Sequence, residues 1–102
     1  MANKTKNKDI ESEKQSHYVY LLLCDDDSYY TGYTKNVASR LERHKKGRGA
    51  RYTRMRRPKR VVYVEEFRTR NAATKRERQI KMLSHKEKQQ LASHTNIVMN
   101  DK

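Results

Sequence analysis

The 102-residue chain is predicted to fold as an α+β domain, a three-stranded antiparallel sheet flanked by helices in the order ββα–β–αα. Three observations predict it. Two tyrosine-rich runs, HYVYLLLC (17–24) and YYTGYT (29–34), bracket the polar tetrapeptide DDDS. A third run, RVVYVEEF (60–67), has the same β-branched and aromatic character. Between and after these runs, apolar residues recur at helical rather than alternating spacing.

Each element follows in order. Tyrosine, valine and leucine suit a pleated, half-buried surface, and a connection as short as DDDS makes the first two strands antiparallel neighbours. Three adjacent carboxylates cannot all point inward, so Asp25, Asp26 and Asp27 read as a turn and not as a metal site. In KNVASRLERHKKG, Asn36 suits an N-cap, Val37 and Leu41 share one stripe, and Gly47 stands past the end of a short helix. RGARYTRMRRPK (48–59) reads as a basic loop that reaches the only proline, Pro58. After the third strand, 69–83 is helical with Ala73, Ile80 and Leu83 on its buried side. Ser84 and Glu87 stand at capping-box spacing and open a last helix. Residues 1–16 read as a disordered tail and 94–102 as a loose end, which leaves 17–93 as one domain. No internal repeat is visible.

Hydrophobic residues make up 33% of the chain, enough for one small core. No apolar run approaches the roughly 20 residues that cross a bilayer, and no secretory apolar stretch is present. A single cysteine, Cys24, cannot form an internal disulfide and fits a reducing, cytoplasmic setting. Cys24 and the four histidines lack zinc-site spacing. These features leave a small protein with no membrane partner and no evident obligate protein partner.

The charge distribution points to a polyanion. The net charge is +13, and residues 35–60 hold twelve basic side chains against Glu42 alone. Residues 17–34 carry three acids and no lysine or arginine, so the domain itself is polarised. That is the footprint of a nucleic-acid binder. Its candidate contacts are Lys35, Arg43, Lys45, Lys46, Arg48, Arg51, Tyr52, Arg54, Arg56 and Arg57, with DNA placed ahead of RNA.

Two helix positions depart from simple packing. Arg40 and His44 are four apart and border the Val37/Leu41 stripe, near the sheet. They read either as a snorkelling arginine with a half-buried histidine or as site residues. Glu77 falls between Ala73 and Ile80, on the apolar side of its helix. A Glu77–Lys81 pair is the plain account, worth a few tenths of a kcal/mol, but it does not explain an acid facing inward among so many bases. A divalent cation beside phosphate would.

From Tyr18 to about Leu91 the chain resembles a GIY-YIG nuclease domain, particularly the small single-domain bacterial proteins of that superfamily. YVY (18–20) matches the first motif and YTG (30–32) the second, followed in order by SRLERH, GRGARYTR and KRERQIKMLS. The resemblance implies a three-stranded antiparallel sheet with helices. It also implies two catalytic tyrosines, Tyr20 and Tyr30, a helix arginine, Arg40, a nearby histidine, His44, and a metal-binding glutamate, Glu77. The cofactor it implies is one Mg²⁺ or Mn²⁺ ion, and the chemistry is hydrolysis of a phosphodiester to a 5′-phosphate and a 3′-hydroxyl. The chain departs from the motifs at Tyr18 (for glycine), Thr31 (for isoleucine) and Tyr33 (for a lysine common in relatives). A late asparagine of several active relatives has no match. Without an attached DNA-reading domain, specificity is expected to be weak or structure-guided, in a setting such as DNA repair or recombination. The alternative is a catalytically weak or inactive nucleic-acid-binding module of the same fold.

Overall fold

The computed structural model describes residues 16–93 and the strand at 97–99. Four strands, β1 (His17–Cys24), β2 (Tyr29–Thr34), β3 (Pro58–Phe67) and β4 (Ile97–Met99), form one sheet in the order β2-β1-β3-β4. β1 is central and antiparallel to both neighbours. A strand covered on two faces has no solvent side, which is why YVYLLLC lacks polar alternation. Val19, Tyr20, Leu21, Leu22 and Cys24 are all buried.

The helices are α1 (Val37–Lys45), α2 (Arg51–Arg56), α3 (Arg70–Lys81) and α4 (His85–Ala92). Side chains alternate across a strand, so β1 serves two layers. Val19 and Leu21 join Tyr63, Phe67, Ala73 and Ile80 in the hydrophobic core, which α3 covers. Tyr20 faces the other way, toward His44 of α1. The sequence signals for helix ends are used: Asn36 Oδ1 accepts the Ser39 N–H at 2.9 Å, Gly47 takes a positive φ of 75° after α1, and the Ser84–Glu87 capping box forms in full. The two N-terminal caps hold α1 and α4 to their expected starts, and Gly47 marks the end of α1.

The acidic turn is a turn. Asp27 adopts φ 65°, Asp26 pairs with Arg56 at 3.1 Å, and Lys59 lies 3.9 Å from Asp27. Its carboxylates thus tie β1–β2 to the end of α2. Among the described residues no group of three metal-ligating side chains occurs, and no helix is long and apolar enough to cross a membrane.

Two expectations are corrected. The basic loop of 48–59 contains α2, a six-residue helix. RYTRMR has no apolar stripe to announce it, and its helix is held from outside by Thr53, which is buried beneath α1. The loose end at 94–102 contains β4, which pairs in parallel with Val64, Glu65 and Glu66 of β3. Three residues are too short for a strand signal, and this pairing is entirely long-range. The expected tail at 1–16 lies, except for Ser16, outside the described residues.

Candidate active site

The site begins with one missing side chain. Tyr20 of β1 stands opposite Gly32 of β2, and a Cβ on Gly32 would come within 2.5 Å of the Tyr20 ring carbon Cζ and hydroxyl. The phenol therefore lies across the glycine, a place no larger residue could share. Tyr30, two residues earlier on the same face of β2, sets its ring 6.2 Å from that of Tyr20. α1 then delivers His44 from its last turn, and the imidazole meets Tyr30 edge-on at 5.2 Å between centroids.

A directed hydrogen-bond chain runs through this group. Thr53 Oγ1 donates its one proton to the Ala50 carbonyl at 3.0 Å, so it can only accept from His44 Nδ1, 2.7 Å away. With the proton on Nδ1, Nε2 is the acceptor, and the Tyr20 hydroxyl donates to it at 2.9 Å. This tautomer follows from the network. Gly49 completes the cradle: a Cβ there would collide with His44 Nδ1. His44, Thr53 and Tyr20 are all at most 2% exposed.

Electrostatics agree with the neutral imidazole. Burial depresses the His44 pKa below its ordinary value, and the guanidinium groups of Arg40 and Arg43 depress it further. The phenols are pushed up. For Tyr20, burial is the main cause and neighbouring Tyr30 adds to it, while Arg40 opposes both. For Tyr30, burial again leads; Lys81 and Arg40 oppose it and Glu77 reinforces it. Arg40 and Glu77 are thus each within electrostatic reach of both tyrosines.

All five residues expected to do chemistry, Tyr20, Tyr30, Arg40, His44 and Glu77, are brought together. Glu77 also makes the plain ion pair, 3.2 Å to Lys81 Nζ, with its own side chain 19% exposed. The plain account of this residue, the ion pair on its own helix, is therefore present. Tyr29 and Tyr33, on the other face of the same strand, pack instead against the core.

The basic residues separate into groups. Lys45, Lys46, Arg54 and Arg57 line a hollow of about 530 Å³ that also includes Asp25. Lys35 and Arg43 stand beside Arg40 in a separate cleft toward the start of α1. Tyr52 packs tilted against Tyr30 at 6.0 Å between centroids and carries Arg56 over its ring at 4.3 Å, so with Asp26 it holds Arg56 as a structural clasp. Arg48 and Arg51 are exposed; the Arg48 carbonyl accepts from Arg43 at 3.4 Å. Sequence reasoning missed Thr53, Gly49 and Gly32, whereas it named Lys81 as the partner of Glu77. For Gly32 the motif itself was the available signal; Thr53 and Gly49 had none, because their roles arise from contact with His44.

Comparison with known proteins agrees with this geometry. The GIY-YIG catalytic domain family matches residues 16–90. A UPF0213 protein of Staphylococcus aureus (strain Mu3) is 47% identical over 76 residues, covering 74% of this chain and 93% of its own. The solution structure of a UPF0213 protein from Bacillus halodurans is 44% identical with a TM-score of 0.51, covering 79% of this chain and 86% of that one. An E. faecalis protein structure is 46% identical with a TM-score of 0.53, covering 76% and 83%. Two tyrosines from paired strands, a glycine beneath one of them, and a helix arginine with its histidine agree with a family match spanning most of the chain: the protein belongs to the GIY-YIG family.

Proposed function

We propose that the protein is a metal-dependent endonuclease that hydrolyses DNA phosphodiester bonds with weak or structure-guided specificity, in a process such as repair or recombination. The observation that carries this reading is the chain Tyr20–His44–Thr53, at 2.9 Å and 2.7 Å, set among Tyr30, Arg40 and Glu77. A packing role alone does not require a buried phenol to aim its proton at a neutral imidazole.

Hydrolysis needs a positioned water, a route for its proton and relief of the charge that develops on phosphate. Arg40 offers a planar fork for the nonbridging oxygens, a better match to phosphate than lysine. Tyr30 is the less buried of the two phenols and orients water beside the phosphate. As Tyr20 gives its proton to His44 Nε2, its oxygen takes one from the attacking water. Thr53 keeps Nδ1 protonated and the ring aligned throughout. This route removes the difficulty that a phenol with a raised pKa is a poor base alone. The donor set fits a hard cation: among the described residues Glu77 is the one carboxylate with influence on both phenols. Mg²⁺ is commonly held by one or two carboxylates, with water and substrate phosphate completing its shell. When bound, such an ion would act as a Lewis acid on the phosphate and the departing 3′-oxygen.

The alternative, a nucleic-acid-binding module with weak or no catalysis, is favoured by the 1% exposure of Tyr20 and by the Lys81 partner that already occupies Glu77. Incubation with branched, nicked and single-stranded DNA, in Mg²⁺, in Mn²⁺ and in EDTA, separates the two. The nuclease reading expects cleavage in metal that EDTA abolishes and that Glu77→Gln loses while DNA binding is kept. Binding without cleavage on every substrate leaves the binding module.

A further inference from the structure

A cleft of about 350 Å³ opens beside Arg40, where the end of β2, the start of α1 and the first residue of α3 meet. Lys35 of the β2–α1 connection, Arg40 and Arg43 of α1 and Arg70 of α3 line it, together with Ser39 and Tyr33. No carboxylate lines it. Among the described residues none of the four cations has an ion-pair partner, whereas Asp26, Asp27, Glu65 and Glu77 pair elsewhere, with Arg56, Lys59, Arg76 and Lys81. Four like charges gathered without a counter-charge repel one another, and an anion in their midst relieves that. The positive field is also felt nearby. The pKa of His17, which bonds to the Tyr33 hydroxyl at 2.8 Å, is lowered first by burial and then by Lys35 and Arg70.

The chemistry of the lining identifies the anion. Three guanidinium forks match tetrahedral oxyanions through paired N–H donors, and a serine hydroxyl adds a neutral donor. Arg70 lies 5.9 Å over the Tyr33 ring, and Arg43 spends one donor on the Arg48 carbonyl, so both keep donors for a ligand. Arg40 borders this cleft and the catalytic face alike. An anion here would therefore sit next to whatever Arg40 holds on its other side.

We propose that this cleft is a phosphate subsite that takes the nucleic-acid backbone phosphate neighbouring the scissile one, with Lys35, Arg43 and Arg70 as its own donors and Arg40 shared. The subsite rests on the proposed nuclease reading only in which phosphate is called scissile. It also assigns a binding role to Arg70, at the start of a helix thirty residues after Arg40.

The test is a titration of the ¹⁵N-labelled full chain in EDTA, so that cleavage plays no part. The probes are a thymidine trinucleotide, its 5′-phosphorylated form, and an analogue with neutral methylphosphonate linkages. Expected are shifts at the Ser39 and Arg70 amides and at the Arg43 and Arg70 guanidinium N–H groups with the charged probes and none with the methylphosphonate. An equal response to the two charged probes supports the internal phosphate, and a response confined to the 5′-phosphorylated probe would overturn it in favour of a terminal one. Arg43→Gln/Arg70→Gln should weaken binding of a longer oligonucleotide about tenfold and lower the salt slope by about one. If that variant does not fold, the wild-type shifts decide by themselves. Shifts confined to the Lys45/Arg54 hollow, an equal response to the methylphosphonate, or an unchanged slope in a folded variant would overturn the subsite. Shifts at the cleft from a protein that cleaves nothing in metal would sink the nuclease reading and leave the subsite standing.

Discussion

Each face of β1 and its neighbours buries a tyrosine in a polar network, and the two networks differ in kind. On the core face, Tyr63 donates to Glu65 at 2.7 Å, and Arg76 binds the same carboxylate through Nε at 3.1 Å and a terminal nitrogen at 3.0 Å. The charge on Glu65 is matched on the spot. On the other face, Tyr20, His44 and Thr53 are neutral, and their hydrogen bonds all point one way, ending on a backbone carbonyl. Burial raises both phenol pKa values; Glu65 raises that of Tyr63 further, whereas Arg40 pulls that of Tyr20 back. In the first network the phenol proton faces a carboxylate whose charge Arg76 already matches, so the network holds. The second can move one, because an imidazole waits as acceptor.

The sharpest way to break this comparison is to delete one hydroxyl on each side. Tyr20→Phe should cut cleavage by roughly 10²–10³, as for loss of a preorganised group, at a cost to stability of about 0.5–1.5 kcal/mol. Tyr63→Phe should cost similar stability and leave cleavage unchanged. Equal, small effects on turnover would make the two faces the same kind of packing.

Next is the ion pair. Glu65→Ala leaves Arg76 without its partner in a pair of which only the carboxylate is fully buried, with side-chain exposures of 33% and 6%. Loss of a buried partner can cost about 3–5 kcal/mol; the half-open arginine brings the expectation to about 2 kcal/mol after screening. Chemical denaturation reads this directly, and a change under about 0.5 kcal/mol would show the pair to be ornamental.

Thr53→Val keeps shape but removes the acceptor of His44 Nδ1. Cleavage should fall about tenfold, equivalent to roughly 1.4 kcal/mol, and Thr53→Ser should restore it. The ¹⁵N shifts of the His44 ring should report an Nδ1–H tautomer in the wild type and a mixture in the valine variant. A wild-type Nε2–H tautomer would reverse the relay.

The pH dependence of folding follows from the same ring. His44 has a folded pKa below its ordinary 6.5, so between those two values the unfolded chain binds more protons. Stability should therefore rise with pH across that window, and the loss should be complete below the folded value. Thermal unfolding followed over about pH 5–7 should show this slope, and His44→Asn should reduce it to the part that His17, whose pKa is also lowered, contributes. The smallest effect is expected at Thr31, where the second motif has threonine. Its hydroxyl is buried without a hydrogen-bond partner among the described residues. Thr31→Val should raise stability by about 1 kcal/mol without touching cleavage, and a loss would reveal a partner for that oxygen.

Local chemistry made much of this protein legible from its residues. Strand propensity placed β1 and β2, capping residues placed α1 and α4, and helical spacing put Ala73, Ile80 and Glu77 on one side of α3. The five catalytic candidates were readable because each lies at a fixed interval within an element or motif. Only tertiary structure could decide the rest. α2 has no apolar period, and it is helical where Thr53 meets an imidazole nine residues earlier in the chain. β4 exists through three pairings with β3, more than thirty residues away in sequence. Arg70 joins Arg40 because α3 begins where β2 ends in space. The direction of the Tyr20 proton depends on which atom a threonine hydroxyl can reach. Periodicity and propensity report how a segment sits on its own axis, and they carry no information about which distant segment will share its hydrogen bonds or its charge.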